Sequence, residues 1–176
     1  MMRFGLIGLG GIGDVRKQAL EVSTECKLTA AFDLDSALLA RLPGHVTVFK
    51  DAEQLLQSDA CDAVIISTPT HFHKDLALTA LENGKHVIVE KPMASSLAEC
   101  EQMVETAERC GKILTVGFNH RYFAAIKEVK SAIQSGVLGQ LRYVKGYAGH
   151  TGLSEFKSPW MYDKDKMGGG TLMDNG

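Results

Sequence analysis

Residues 4–13 read Phe4-Gly5-Leu6-Ile7-Gly8-Leu9-Gly10-Gly11-Ile12-Gly13, a short apolar run that meets glycines at positions 8, 10 and 13. The apolar part predicts a buried strand, and the glycines predict a sharp turn into a helix. Gly8 permits the tight turn, Gly10 lets a pyrophosphate approach the backbone, and Gly13 lets the next helix lie close to the sheet. Phosphates would then rest on N–H groups at the positive end of that helix. Glycine turns of this spacing occur in many folds, so the motif alone is weak evidence. Two neighbours strengthen it. Ile12, Val15, Ala19 and Val22 recur at helical spacing and predict one buried face. A second apolar run, Leu28 to Phe32, ends in Asp33, about twenty residues beyond the last glycine. A carboxylate there accepts hydrogen bonds from a ribose diol, and with Asp35 it repels a 2′-phosphate, so NAD is expected over NADP.

At 176 residues, 45% hydrophobic and 23% charged, the chain has the composition of a soluble globular protein and the length to bury a core. A net charge of -2 argues against a nucleic-acid surface. No apolar run approaches the ~18 residues of a membrane span, and Met1-Met2-Arg3-Phe4-Gly5 lacks a signal-peptide core. A cytoplasmic protein with neither nucleic-acid nor membrane partner is expected. The cysteines at 26, 61, 100 and 110 are scattered and read as reduced thiols.

Beyond Asp33 the chain alternates. Asp35 to Leu42 predicts a short helix, Val46 to Phe49 a short strand, and Asp51 caps a helix through Leu56, with Gln54 in the reciprocal capping position. Ala63 to Ser67 is a continuous apolar run, as in a strand covered on both faces. A helix with Leu76, Ala77, Ala80 and Leu81 inward closes at Asn83-Gly84, and His86 to Val89 is another buried strand. Ser96 and Glu99 form a capping box for a helix carrying Met103, Val104 and Ala107 inward to Gly111. Ile113 to Gly117 is the next strand, and a helix with Ile126, Val129 and Ile133 ends at Gly136. This alternation predicts an α/β fold, a doubly wound parallel sheet of the Rossmann type over residues 1–122. Residues 123–176 are expected to begin an α+β substrate or oligomerisation domain, with Leu141 to Ala148 as its first strand.

Ligands of open parallel sheets sit beyond the carboxyl ends of the strands. That rule collects Gly8 to Gly13, Asp33, Ser67-Thr68-Pro69-Thr70, Glu90-Lys91-Pro92 and Asn119-His120-Arg121 on one edge. Lys91 is the sharpest candidate for chemistry. Between a carboxylate and a proline at the end of a buried strand, it can be held rigidly and tuned by burial for acid or base work. The alternative is a surface lysine paired with Glu90. His71 and His73 lack a third ligand of suitable spacing, so no metal is expected, and His73 reads as bordering a cofactor. Asn119, Arg121 and Trp160 are candidate substrate contacts.

These residues resemble the Gfo/Idh/MocA family, named for glucose-fructose oxidoreductase and inositol dehydrogenase. The resemblance rests on Gly8-Leu-Gly-Gly-Ile-Gly13, Thr68-Pro69-Thr70 with His73, Gly84-Lys-His-Val-Ile-Val-Glu-Lys-Pro92, Gly117-Phe-Asn-His-Arg121 and Gly168-Gly-Gly-Thr-Leu-Met-Asp174. It implies hydride transfer between nicotinamide and a hydroxyl-bearing carbon of a sugar, polyol or related small molecule. It also implies Lys91 as the acid/base lysine and Asp174 as the acidic member of the second-domain motif. Cofactor contacts are expected from Gly8, Gly10, Gly11, Ile12, Gly13, Asp33, Ser67, Thr68, Pro69, His73, Glu90 and Lys91. A homo-oligomer formed through the second domain's sheet is implied as well. Asp14 departs from the pattern, because a carboxylate beside the pyrophosphate opposes binding unless it turns away. The chain also stops before the family's catalytic histidine, which predicts cofactor binding without efficient turnover. Two other readings stay open: a non-redox elimination or glycosidic cleavage with recycled NAD, and a nucleotide-sensing regulatory module.

Overall fold

Strand β1 (Met2–Ile7) lies inside a six-stranded sheet in the computed structural model, which describes residues 1–147 together with Trp160, Asp163 and Lys166. The remaining strands are β2 (Cys26–Phe32), β3 (Thr47–Val48), β4 (Ala63–Ile66), β5 (His86–Val89) and β6 (Leu114–Val116). Every pairing is parallel, and the order is β3-β2-β1-β4-β5-β6. Parallel neighbours need crossovers. The helices α1 (Gly11–Glu21), α2 (Ser36–Leu39), α3 (Ala52–Gln57), α4 (His73–Glu82) and α5 (Leu97–Cys110) lie in them, and α6 (Ala124–Gln134) follows the last strand. The strand order reverses between β1 and β4, which opens a crevice at the carboxyl ends of those two strands.

The apolar run at β4 is explained by burial on both faces. Ala63 and Ile65 join Phe4, Leu6, Leu20 and Leu28 on one side, while Val64 and Ile66 join Leu55, Leu81, Val87 and Met103 on the other. Each fully covered Leu or Ile contributes about 1.5–3 kcal/mol.

Local capping sets the helix starts. The Asp51 carboxylate accepts the Gln54 amide at 2.7 Å to open α3, and Ser96 Oγ accepts the Glu99 amide at 3.3 Å to open α5. The Glu99 carboxylate reaches back to the Ser95 amide at 2.9 Å, one residue before the position a capping box prescribes. Gly111 ends α5 in the left-handed region at φ 63°.

The expected buried face of α1 is wrong. Ile12, Val15, Ala19 and Val22 are exposed, and the covered residues are Gly13 and Leu20, with Arg16 and Lys17 half-buried between them. Gly13 sets this rotation, because a Cβ there would lie 2.1 Å from the Gly8 carbonyl oxygen and only glycine can face the turn. In α5, Met103, Thr106 and Ala107 are buried and Val104 is exposed, since 106 and 107 lie a turn from 103 whereas 104 is rotated by about 100°. Ile126, Val129 and Ile133 on α6 are exposed too. Leu141 to Tyr147 form no strand, having no ladder partner among the described residues, and Ala148 lies outside them.

Candidate active site

The turn after β1 and the turn after β4 touch. A Cβ on Gly8, whose φ is +90°, would sit 2.7 Å from the Ser67 carbonyl oxygen, so the two strand ends meet only through glycine. Gly10, by contrast, faces open space: a Cβ there would have no neighbour within 4 Å, and the residue starts α1 without a side-chain cap. The first amides of α1, before Asp14 N donates to Gly10 O at 2.9 Å, have no side-chain acceptor among the described residues.

These turns wall a cleft of about 970 Å³. Gly8, Gly10, Gly11, Ile12, Asp33, Ser67, Thr68, Pro69, Glu90, Lys91, Asn119 and Trp160 all line it, so most of the residues singled out in the sequence converge there. Asp33 stands at its β2 side. One carboxylate oxygen accepts the Leu9 amide at 2.5 Å and the other the Asp35 amide at 2.8 Å. Each oxygen has a further lone pair for a ribose hydroxyl. Asp35 caps α2 by accepting the Ala37 amide. Asp14, whose charge would oppose a pyrophosphate, is outside the lining. It pairs with Lys17 at 3.1 Å and accepts from Gln18 at 2.7 Å, and its bond to Lys17 leads the interactions that hold its pKa below the usual carboxylate value.

Three residues sit otherwise than the sequence suggested. His73 does not border the cleft: it is 1% exposed, with Nδ1 2.9 Å from Pro92 O and Nε2 2.8 Å from Thr68 O. It ties the β4 turn to the β5 turn. Both partners are acceptors, so a neutral ring donates to only one of them. Burial nevertheless pushes its pKa below the ordinary histidine value, against the two carbonyls, which favour the cation. Lys91 is exposed at the cleft rather than buried. Arg121 is absent from the lining, its guanidinium lying over the Phe118 ring at 5.6 Å. Gly13 serves the cleft from beneath by close packing. Asp174 lies outside the described residues. No group of three His, Cys, Asp or Glu side chains suited to a metal occurs among the described residues.

Sequence reasoning missed Arg16. It lines the cleft, and its Nε and Nη2 both converge on Glu90 Oε1 at 2.5 Å. The available signal was its place three residues after Gly13, on the face that glycine turns inward.

The donor set fits a dinucleotide. Gly10 leaves room at a helix start, and Ser67 Oγ and Thr68 Oγ1 are buried beside the cleft with no hydrogen-bond partner among the described residues. Residues 2–118 match the family model described as the oxidoreductase family, NAD-binding Rossmann fold, and residues 126–176 match the C-terminal domain of the same family. The chain belongs to the Gfo/Idh/MocA family.

Among Gfo/Idh/MocA relatives, it is 32% identical to myo-inositol 2-dehydrogenase of Thermotoga maritima, over 79% of this chain and 42% of the relative. It is 33% identical to glucose-6-phosphate 3-dehydrogenase of Bacillus subtilis, over 100% of this chain and 51% of the relative. The structure of Lactobacillus casei scyllo-inositol dehydrogenase with bound NAD(H) and scyllo-inositol superposes with a TM-score of 0.74 at 28% identity, covering 80% of this chain and 43% of that one. The chain thus spans about half the length of the Gfo/Idh/MocA relatives it matches. No helix among the described residues is long and apolar enough to cross a membrane.

Proposed function

We propose that this chain supplies the cofactor-binding half of an NAD-dependent oxidoreductase acting on a hydroxyl-bearing carbon of a sugar, inositol or related polyol. The observation that carries the reading is convergence: the glycine turn, Asp33 and Lys91, from three separate strands, open on one cleft. The relatives' names point to the substrate class. Asp33 supports NAD over NADP, because a 2′-phosphate beside a carboxylate that already anchors two amides meets like charge. NAD, when bound, accepts or returns the hydride.

The chain's residues have distinct tasks in this reading. Amides at the start of α1 hold the pyrophosphate, and Ser67 and Thr68 offer hydroxyls along the cleft wall. Lys91 stands at the cleft as the cation that steadies developing alkoxide charge on the substrate oxygen or takes its proton. Asn119 and Trp160 face the same space and are assigned to the substrate. Asp174 is assigned the acidic role in the second domain. We place the division between the cofactor domain and the substrate domain after Tyr122, and assign the second domain a role in forming a cytoplasmic homo-oligomer.

The test is a titration of the purified chain with NADH and NADPH, followed by a search for polyol-dependent NADH formation. Tighter binding of NADH is expected. Failure to bind either nucleotide removes the proposal.

A further inference from the structure

Arg16 of α1 reaches across to the turn after β5. Its Nε and Nη2 both lie 2.5 Å from Glu90 Oε1, so one edge of the guanidinium is engaged by a single carboxylate oxygen. The anchor itself is firmly seated. Glu90 is buried, with its side chain 8% exposed, and its amide donates to Ile66 O at 2.9 Å. The residue after β6 leaves a recess for the carboxylate: a Cβ on Gly117 would stand 2.8 Å from Glu90 Oε2. Gly117 has no positive φ, so its missing side chain provides space rather than backbone freedom.

The other edge of the guanidinium is open. Nη1 makes no hydrogen bond among the described residues and is not one of the buried unpartnered atoms, while Arg16 lines the cleft with its side chain 23% exposed. A planar fork bound along one edge holds the other in a fixed direction. Ile12 lies one turn nearer the start of α1 and lines the same cleft. Residues four apart share a helix face, and helical side chains lean towards the N-terminus, so the head of Arg16 is carried up beside the amides assigned above to the pyrophosphate. We propose that Arg16 is a second anchor for the cofactor's diphosphate, adding a charged side-chain donor to the amides of the helix start. A guanidinium suits that ligand, being permanently charged and rich in planar donors. The Glu90 carboxylate lines the same cleft and by itself repels an anion; Arg16 cancels that charge and presents Nη1 to the ligand. The inference rests on the dinucleotide reading above and adds to it a residue that the glycine turn does not contain.

ADP-ribose carries the diphosphate without the nicotinamide and so separates the two halves of the cofactor. Calorimetric titration of the purified chain with ADP-ribose and with NADH should find Arg16→Gln weaker than the wild type by the same factor for both, roughly ten- to hundredfold. Arg16→Lys, which keeps the charge without the fork, should lose less. Circular dichroism establishes that each variant is folded. In the wild-type chain labelled with nitrogen-15 arginine, the Arg16 guanidinium signals, identified by their absence from Arg16→Lys, should shift as ADP-ribose saturates the cleft. ADP-ribose affinity unchanged in folded Arg16→Gln overturns the proposal, and so do guanidinium signals that ADP-ribose leaves in place. A loss confined to NADH overturns it too, because the contact then belongs to the nicotinamide half. A wild type that binds neither ligand removes the oxidoreductase reading and this inference together, whereas a wild type that binds both, with Arg16→Gln its equal, removes this inference alone.

Discussion

The Leu9 amide donates to the Asp33 carboxylate at 2.5 Å, so the residue proposed to read a ribose also ties the glycine turn to the end of β2. Asp33→Asn keeps an acceptor and removes the charge. The preference for NADH over NADPH should narrow by about tenfold, equivalent to ~1.4 kcal/mol, as read by fluorescence titration. Asp33→Ala loses the tie as well, and should lower thermal stability where Asp33→Asn does not. An unchanged preference in Asp33→Asn would remove Asp33 from cofactor selection.

Glycines in the turn are not equivalent. Gly13→Ala places a methyl 2.1 Å from the Gly8 carbonyl oxygen, a contact with backbone that cannot move aside, whereas Gly11→Ala meets nothing within 4 Å. Urea denaturation should find Gly13→Ala destabilised by at least about 1–3 kcal/mol. Gly11→Ala should stay within ~0.5 kcal/mol of the parent.

Lys91→Ala should leave NADH affinity within about tenfold, and, measured in a protein that carries the whole second domain, should lower polyol-dependent NADH formation by a factor of roughly 10²–10⁴. Stopped-flow and steady-state absorbance separate the two effects. Loss of binding alone would recast Lys91 as a cofactor clamp.

Burial lowers the pKa of His73, so the folded chain favours the neutral ring while the unfolded chain titrates near the ordinary value of about 6.5. Its contribution is complete above that value and is lost as pH falls through the lower folded-state value. Between about pH 7 and pH 5 the parent should therefore lose stability, and His73→Gln should lose less. A parent that gains stability on acidification would mean that the two carbonyls outweigh burial and hold the ring as a cation.

At the opposite end of the sheet, hydrogen bonds from Arg3 lower the Asp62 pKa to about 2. Its stabilising effect is present above the unfolded carboxylate value of about 3.9 and disappears as pH falls through about 2. Both side chains are over a third exposed, so water screens the pair and the effect should be small. Acid titration of stability should be slightly shallower in Asp62→Asn below about pH 4.

The sequence by itself determined the alternation of parallel strands and helices, the glycine turn, and the set of loops that gather at the strands' carboxyl ends. Those follow from local requirements: backbone angles only glycine meets comfortably, capping side chains, and continuous apolar runs covered on two faces. The rotation of α1, the Arg16–Glu90 pair, the seating of His73 between Thr68 and Pro92, and the stacking of Arg121 on Phe118 were decided by tertiary structure. The α1 case explains why. Hydrophobic spacing proposed Ile12, Val15, Ala19 and Val22 as its inner face, but the steric demand of Gly13 against Gly8 turned Arg16 inward instead. There it meets a carboxylate 74 residues away, and a pairing over that separation depends on how elements dock, which no local pattern encodes.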